Sequence, residues 1–151
     1  MTALPPVIRP IRARELDQIL QFWSVAAEDA HRPPDSRQAL DRLVARDPGA
    51  LLVAVEAGGA AGDGGADEIV GSVIAGWDGW RCHVYRLAVA PHRRGAGLGR
   101  ALLAAAEARF LAFGGTRADA MVLDGNQLGQ ATWSATGYQR QPEWSRWVKP
   151  L

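Results

Sequence analysis

The stretch Cys82–Phe110, CHVYRLAVAPHRRGAGLGRALLAAAEARF, decides the fold because its periodicity changes once, and does so around glycine. Cys82 to Ala90 is a short, valine-bearing apolar run of strand character. From Leu98 to Phe113 the spacing is helical, with Leu98, Leu102, Ala106, Phe110 and Phe113 on one side and Gly114-Gly115 as the stop. Between the two, Gly95, Gly97 and Gly99 fall on alternate positions. A helix entered in this way leaves its first amides pointing outward, and its dipole adds partial positive charge there. Such an end attracts phosphate, and glycine lets the phosphate approach.

Upstream, Val7 to Arg12 reads as a first strand, and Ala13 to Glu28 as a helix with Leu16, Ile19, Leu20, Trp23 and Ala27 on one stripe. A second helix follows in PDSRQALDRLVARDPG, with Asp35 and Gln38 spaced as a capping box and Pro48-Gly49 as the stop. Leu51 to Ala57 and Glu68 to Trp77 are further strands, separated by the glycine- and alanine-rich Gly58 to Asp67, which reads as a mobile hairpin loop. Asp78-Gly79 is a hairpin turn dipeptide leading back to Cys82. Downstream, Ala118 to Leu123 is a strand candidate, Gln127 to Thr136 a short helix and Trp144 to Val148 a last strand. Hairpins come first and a strand-helix-strand crossover second, so the spacing predicts a mixed sheet with helices on both faces.

The 151 residues suffice for one core, and a single domain is expected. A formal net charge of +1, with arginines interleaved among acids, argues against a nucleic-acid partner. The one local excess, Arg93, Arg94 and Arg100, flanks the glycines, so any polyanion bound is small. Cys82 is the only cysteine, which rules out an internal disulfide. No apolar run fits a signal peptide or a membrane span, so a cytoplasmic location without membrane contact is expected.

Two common phosphate loops fail on spacing. A Walker loop needs a lysine after its last glycine, and none follows here. A dinucleotide fingerprint needs a third glycine, but Arg100 or Leu102 stands at that place, depending on the glycine counted from. Arg94, Gly97 and Gly99 do fit Arg-x-x-Gly-x-Gly, between strand and helix and introduced by AVAP. This resembles the pyrophosphate loop of the GNAT family of acyl-CoA-dependent N-acyltransferases. The opening VIRPIRARELDQILQFW and the later NQLGQATWSATGY, Asn126 to Tyr138, resemble that family's first strand and helix and its Asn-helix-Gly-Phe/Tyr ending.

The resemblance implies a single-domain α/β fold over residues 1–151, with a mixed, mostly antiparallel sheet of six to seven strands and helices on both faces. It implies acetyl-CoA as cosubstrate, no metal, and an acceptor that is a primary amine of a small molecule or protein. The amides of Arg94, Gly95, Ala96, Gly97, Leu98, Gly99 and Arg100 would grip the pyrophosphate. Leu87, Ala88 and Val89 would lie on the strand that pairs with the pantetheine arm, and Asn126 would hydrogen-bond that arm. Asn126 also suits a helix N-cap, which is compatible.

Acyl transfer to an alkyl amine of pKa about 10.4 needs a proton acceptor, fixed donors for the oxyanion, and a departing thiolate. In the family a tyrosine commonly stands seven residues after the Asn; here that position is Trp133, whose indole N–H donates a hydrogen bond but no acidic proton. Tyr85 is expected on the same strand face as Leu87. Asp78 serves either its turn or the acceptor, and His83, Glu28, Asp29 and His31 are weaker candidates for a base. Packing accounts for most of Trp77, Trp80, Trp133, Trp144 and Trp147, with Trp80 expected to be the most exposed, and the last strand offers a surface for a homodimer. Trp133 in place of the phenol, with no obvious base, keeps a non-enzymatic acyl-CoA-binding domain as the alternative.

Overall fold

A computed structural model describes residues 4–27, 32–58 and 65–151. In chain order these form β1 (Val7–Pro10), a 3-10 turn (Ala13–Glu15), α1 (Leu16–Ala26), α2 (Arg37–Arg46), β2 (Leu51–Glu56), β3 (Glu68–Trp77), β4 (Cys82–Val89), a second 3-10 turn (Pro91–Arg93), α3 (Leu98–Ala112), β5 (Ala118–Ala120) and α4 (Gln127–Ala135). The chain divides into two compact units, Met1–Met121 and Val122–Leu151.

In the first unit five strands form one sheet in the order β1-β2-β3-β4-β5. All pairs are antiparallel except β4 with β5, which α3 connects as a crossover. The sheet is mixed and mostly antiparallel, as expected, but has five strands rather than six or seven. Trp144 to Val148 forms no strand. That tail carries Pro142, Pro150 and alternating charges, and Trp144 and Trp147 stay exposed, so the expectation that packing explains them does not hold. They are also more exposed than Trp80, contrary to the expected ranking.

Two neighbours on β3 show that the sheet is covered on both faces. Ser72 accepts a hydrogen bond from the indole of Trp23 on α1, at 2.9 Å, whereas a Cβ added to Gly71 would meet Leu102 of α3. Adjacent strand residues face opposite ways. The apolar stripe Leu16, Ile19 and Trp23, with Leu40 of α2, therefore packs over Leu51, Val53, Val55 and Ile69 on one face, while α3 covers the other. β2 is buried along almost its whole length, which is why it reads as an unbroken apolar run rather than an alternating one.

The decisive irregularity lies in β4. Ser72 is opposite Ala88 but Ile74 is opposite Tyr85, so Val73 alone faces both Arg86 and Leu87. Arg86 has φ of 49° and is the only non-glycine residue with positive φ among the described residues. This conformation costs a side-chain-bearing residue roughly 1–2 kcal/mol. The bulge also overturns one expectation: Tyr85 shares a face with Ala88, and Leu87 points to the other side.

Asp35 is not a helix cap. Ser36 fills that role, its hydroxyl accepting from the Ala39 amide at 3.1 Å, and Asp35 pairs instead with Arg86. The predicted loop Gly58 to Asp67 does join two antiparallel neighbours, although its central residues 59–64 lie outside the described residues, as do Glu28, Asp29 and His31.

In the second unit α4 begins at Asn126 and stops at Gly137, whose φ of 93° lets the Tyr138 amide reach the Trp133 carbonyl at 3.0 Å and the Gly137 amide reach Ser134 at 3.2 Å. This pair of bonds is a Schellman stop, and Tyr138 packs edge-on against Trp133 at 4.8 Å to complete it.

Candidate functional site

The glycine turn adopts the geometry its spacing demands. Gly95 and Gly97 have φ of 80° and 82°, and a Cβ placed on either would meet nothing within 4 Å. Gly97 is the N-cap of α3, and the amide of Ala101 is the first to bond back to it, at 3.0 Å. The earlier amides of the turn of helix, Leu98, Gly99 and Arg100, stand at the open end of the dipole. A cavity of about 200 Å³ lies beside it, lined by Pro5, Ile8, Ala96, Gly97 and Ala101 among others.

The arginines do not all face this opening. Arg93 is paired with Glu56 at the end of β2. Arg94 folds back, its Nε donating to the Val89 carbonyl at 3.2 Å and its Nη2 to the Ala26 carbonyl at 3.4 Å. Arg94 is thus a brace between the end of β4 and the end of α1. Arg93 and Arg94 thus already have partners within the protein, a carboxylate and two main-chain carbonyls.

The same strand presents an edge. β4 pairs with β5 only over Cys82, His83 and Val84. Beyond Val84 it continues for five residues toward the glycine turn without β5 alongside. The amide of Ala90 bonds to Val70 of β3 at 2.9 Å, so strand alternation turns the amides of Val89 and Leu87 the other way, toward this open edge. Ala88 faces inward, packed in the core with α1.

A second cluster lies at the start of β4 and was only half legible beforehand. The parallel register sets His83 beside Asp119 of β5, and His83 Nδ1 lies 2.6 Å from Asp119 Oδ1. A carboxylate only accepts, so Nδ1 carries the hydrogen, and in the neutral ring Nε2 keeps its lone pair. Asp78 Oδ2 stands 3.8 Å from that Nε2. The ring of Tyr85 lies 6.0 Å from that of His83, over Gly76, where a Cβ would press on it at 3.0 Å. Asp119 is absent from any short motif because its neighbour lies 36 residues away in sequence; only the strand register could have found it.

Asp78 does serve its turn: Oδ1 accepts from the amides of Arg81 at 2.6 Å and Trp80 at 2.8 Å. Those backbone donors, Arg81 first, hold its carboxyl below the usual range. A carboxylate so held is a poor proton acceptor. Cys82 is buried against Gly115 and Phe110, and burial, with Asp119 and Asp78 nearby, pushes its thiol pKa up, so it is no nucleophile. Among the described residues no group of three or more His, Cys, Asp or Glu could hold a metal, and no helix is long and apolar enough to cross a membrane.

In the second unit Asn126 caps α4, its Oδ1 accepting from the Gly129 amide at 2.9 Å. Its side-chain NH2 is the group that remains to donate. The Trp133 ring is held by its contact with Tyr138, and Gly137-Tyr138 has a full structural account in the helix stop.

Residues 15–138 match the family model described as Acetyltransferase (GNAT) family. An acetyltransferase of Sodalis glossinidius is 30% identical over 135 residues, 89% of this chain and 87% of the relative. One of Pectobacterium atrosepticum is 34% identical over 120 residues, covering 79% and 77%. The fold is shared with the aminoglycoside N-acetyltransferase AAC(6')-Iy in complex with coenzyme A, at a TM-score of 0.75 and 15% identity over 100% of this chain and 98% of that one.

Proposed function

This chain belongs to the GNAT family of acetyltransferases and is an acetyl-CoA-dependent N-acetyltransferase; on that premise we propose that it acetylates a primary amine by direct attack in a ternary complex, with His83 as the general base. Acetyl-CoA supplies, when bound, a thioester whose carbonyl carbon the amine attacks. The C–N bond forms, the C–S bond breaks, and the amine loses one proton. The amide of Leu87 holds the carbonyl oxygen as it gains charge, because a fixed donor at that edge need not reorganise, and the amide of Val89, about 7 Å further along the strand, pairs with the pantetheine arm. The turn from Gly95 to Arg100 holds the pyrophosphate through its amides, that of Arg94 being turned to the Pro91 carbonyl at 3.4 Å.

The proton goes to His83 Nε2. Imidazole is the side chain suited to exchanging a proton near neutrality. Asp119 fixes the tautomer that leaves Nε2 bare, and with Asp78 it stabilises the imidazolium that forms. His83 and Leu87 are four residues apart, about 10–13 Å along a strand, so a chain of waters, at about 2.8 Å a link, completes the path. Tyr85, on the face of His83, lines the acceptor side. The departing sulfur needs no acid: a thiol of pKa about 8.5 leaves as thiolate.

The observation that supports this reading most is the edge of β4, released from β5 at Val84 and running into the left-handed glycine turn of α3. The His83–Asp119 pair answers the missing base that motivated the non-enzymatic alternative. The test is coenzyme A release with a panel of primary amines. His83→Ala should lower turnover on any accepted amine about 10²–10⁴-fold, while coenzyme A affinity stays within twofold. Equal turnover by the variant would remove His83 from the mechanism.

A further inference from the structure

We infer that Ser72 and Asp35 are positioning residues for the acetyl carbonyl: by holding Arg86 in its left-handed bulge they set the aim of the Leu87 amide. The inference rests on the reading above, in which that amide receives the carbonyl oxygen. Ser72 Oγ donates to the Arg86 carbonyl at 2.8 Å and accepts from the Trp23 indole at 2.9 Å, and both residues are buried. The Arg86 guanidinium pairs with Asp35, on the segment leading into α2, and its carbon lies 5.2 Å from the centre of the Trp23 ring. Three elements, α1, β3 and the entry to α2, thus converge on one residue whose backbone angle is disfavoured. A leucine would fill this part of the core without a polar partner. The network instead fixes a main-chain carbonyl, and the next amide in the chain is the first of the two that face the open edge. The bulge lies immediately beyond Val84, where β5 stops holding β4, so Ser72 and Asp35 supply from the covered face the order that β5 no longer supplies from the edge.

The network touches the acetyl group only through the Leu87 amide and leaves that of Val89 to the pantetheine arm, so its loss should spare binding of coenzyme A itself. The experiment is calorimetric titration of the full chain with coenzyme A and with acetyl-CoA, together with the infrared carbonyl stretch of bound carbonyl-13C acetyl-CoA. Ser72→Ala should weaken acetyl-CoA about tenfold, the worth of one net hydrogen bond, leave coenzyme A within twofold, and move the carbonyl stretch toward its solution frequency. Asp35→Asn, milder because amide replaces carboxylate on a partly exposed segment, should shift both readouts in the same direction and serves where Ser72→Ala does not fold. Equal weakening of both ligands, or an unmoved carbonyl band in a folded variant, would overturn the positioning role alone. Wild-type protein that binds coenzyme A but shows a solution-like carbonyl would also overturn it. Wild-type protein that binds neither ligand would overturn the acyl-CoA reading, and this inference with it.

Discussion

At Gly97 the backbone requirement and the ligand requirement coincide. Its φ of 82° is one that L side chains rarely adopt, and the space above it is open. Gly97→Ala should therefore cost about 1 kcal/mol of stability by strain and leave much of the binding. Gly97→Glu adds bulk and a like charge where a pyrophosphate is proposed to rest; it should abolish coenzyme A binding by calorimetry while the circular dichroism spectrum is kept. A Glu variant with wild-type affinity would show that the coenzyme lies elsewhere. Arg94 carries the opposite lesson. It completes the motif in sequence, yet its guanidinium is spent on the carbonyls of Val89 and Ala26. A motif names residue types at a spacing, and the direction of a long side chain is decided by the acceptors that the folded chain brings within reach.

Among the elements, β1 is tied to the start of α1 by one buried carboxylate. Glu15 accepts from Arg9 at 2.6 and 2.9 Å and from the Arg12 amide at 2.8 Å. The Arg9 hydrogen bond, opposed by burial and aided by the Arg12 amide, lowers its pKa below the ordinary carboxylate value. A lowered folded-state pKa contributes stability that is fully present above the unfolded value, about 4.3, and is lost as pH falls through the folded one. In urea titrations wild type should exceed Glu15→Gln in stability at pH 7, and the gap should close as the pH drops below about 4. A gap independent of pH would mean that the carboxylate contributes by shape alone. One helix stop was legible at this scale because it is local: Gly114-Gly115 closes α3 through bonds spanning at most six residues. The last strand was not, since a strand exists only with a partner and Trp144 to Val148 has none assigned.

For the whole molecule, a cosubstrate that binds only the folded state must raise its stability. Coenzyme A at a hundredfold excess over its dissociation constant should add about 2.7 kcal/mol, a rise in melting temperature of roughly 5–10 °C for a chain of this size. No rise would mean that the open edge of β4 and the glycine turn do not act together as a site. The amino-acid sequence by itself determined the order of elements as far as α4, the two covered faces of the sheet, and the glycine turn at the head of α3, because periodicity, capping and left-handed glycine are properties of neighbouring residues. Tertiary structure alone decided that Arg86 bulges, that Asp35 leaves its helix to hold it, and that His83 meets Asp119. Each of these joins residues more than a dozen positions apart through strand register or side-chain reach, and no local pattern in a chain encodes a distance of that kind.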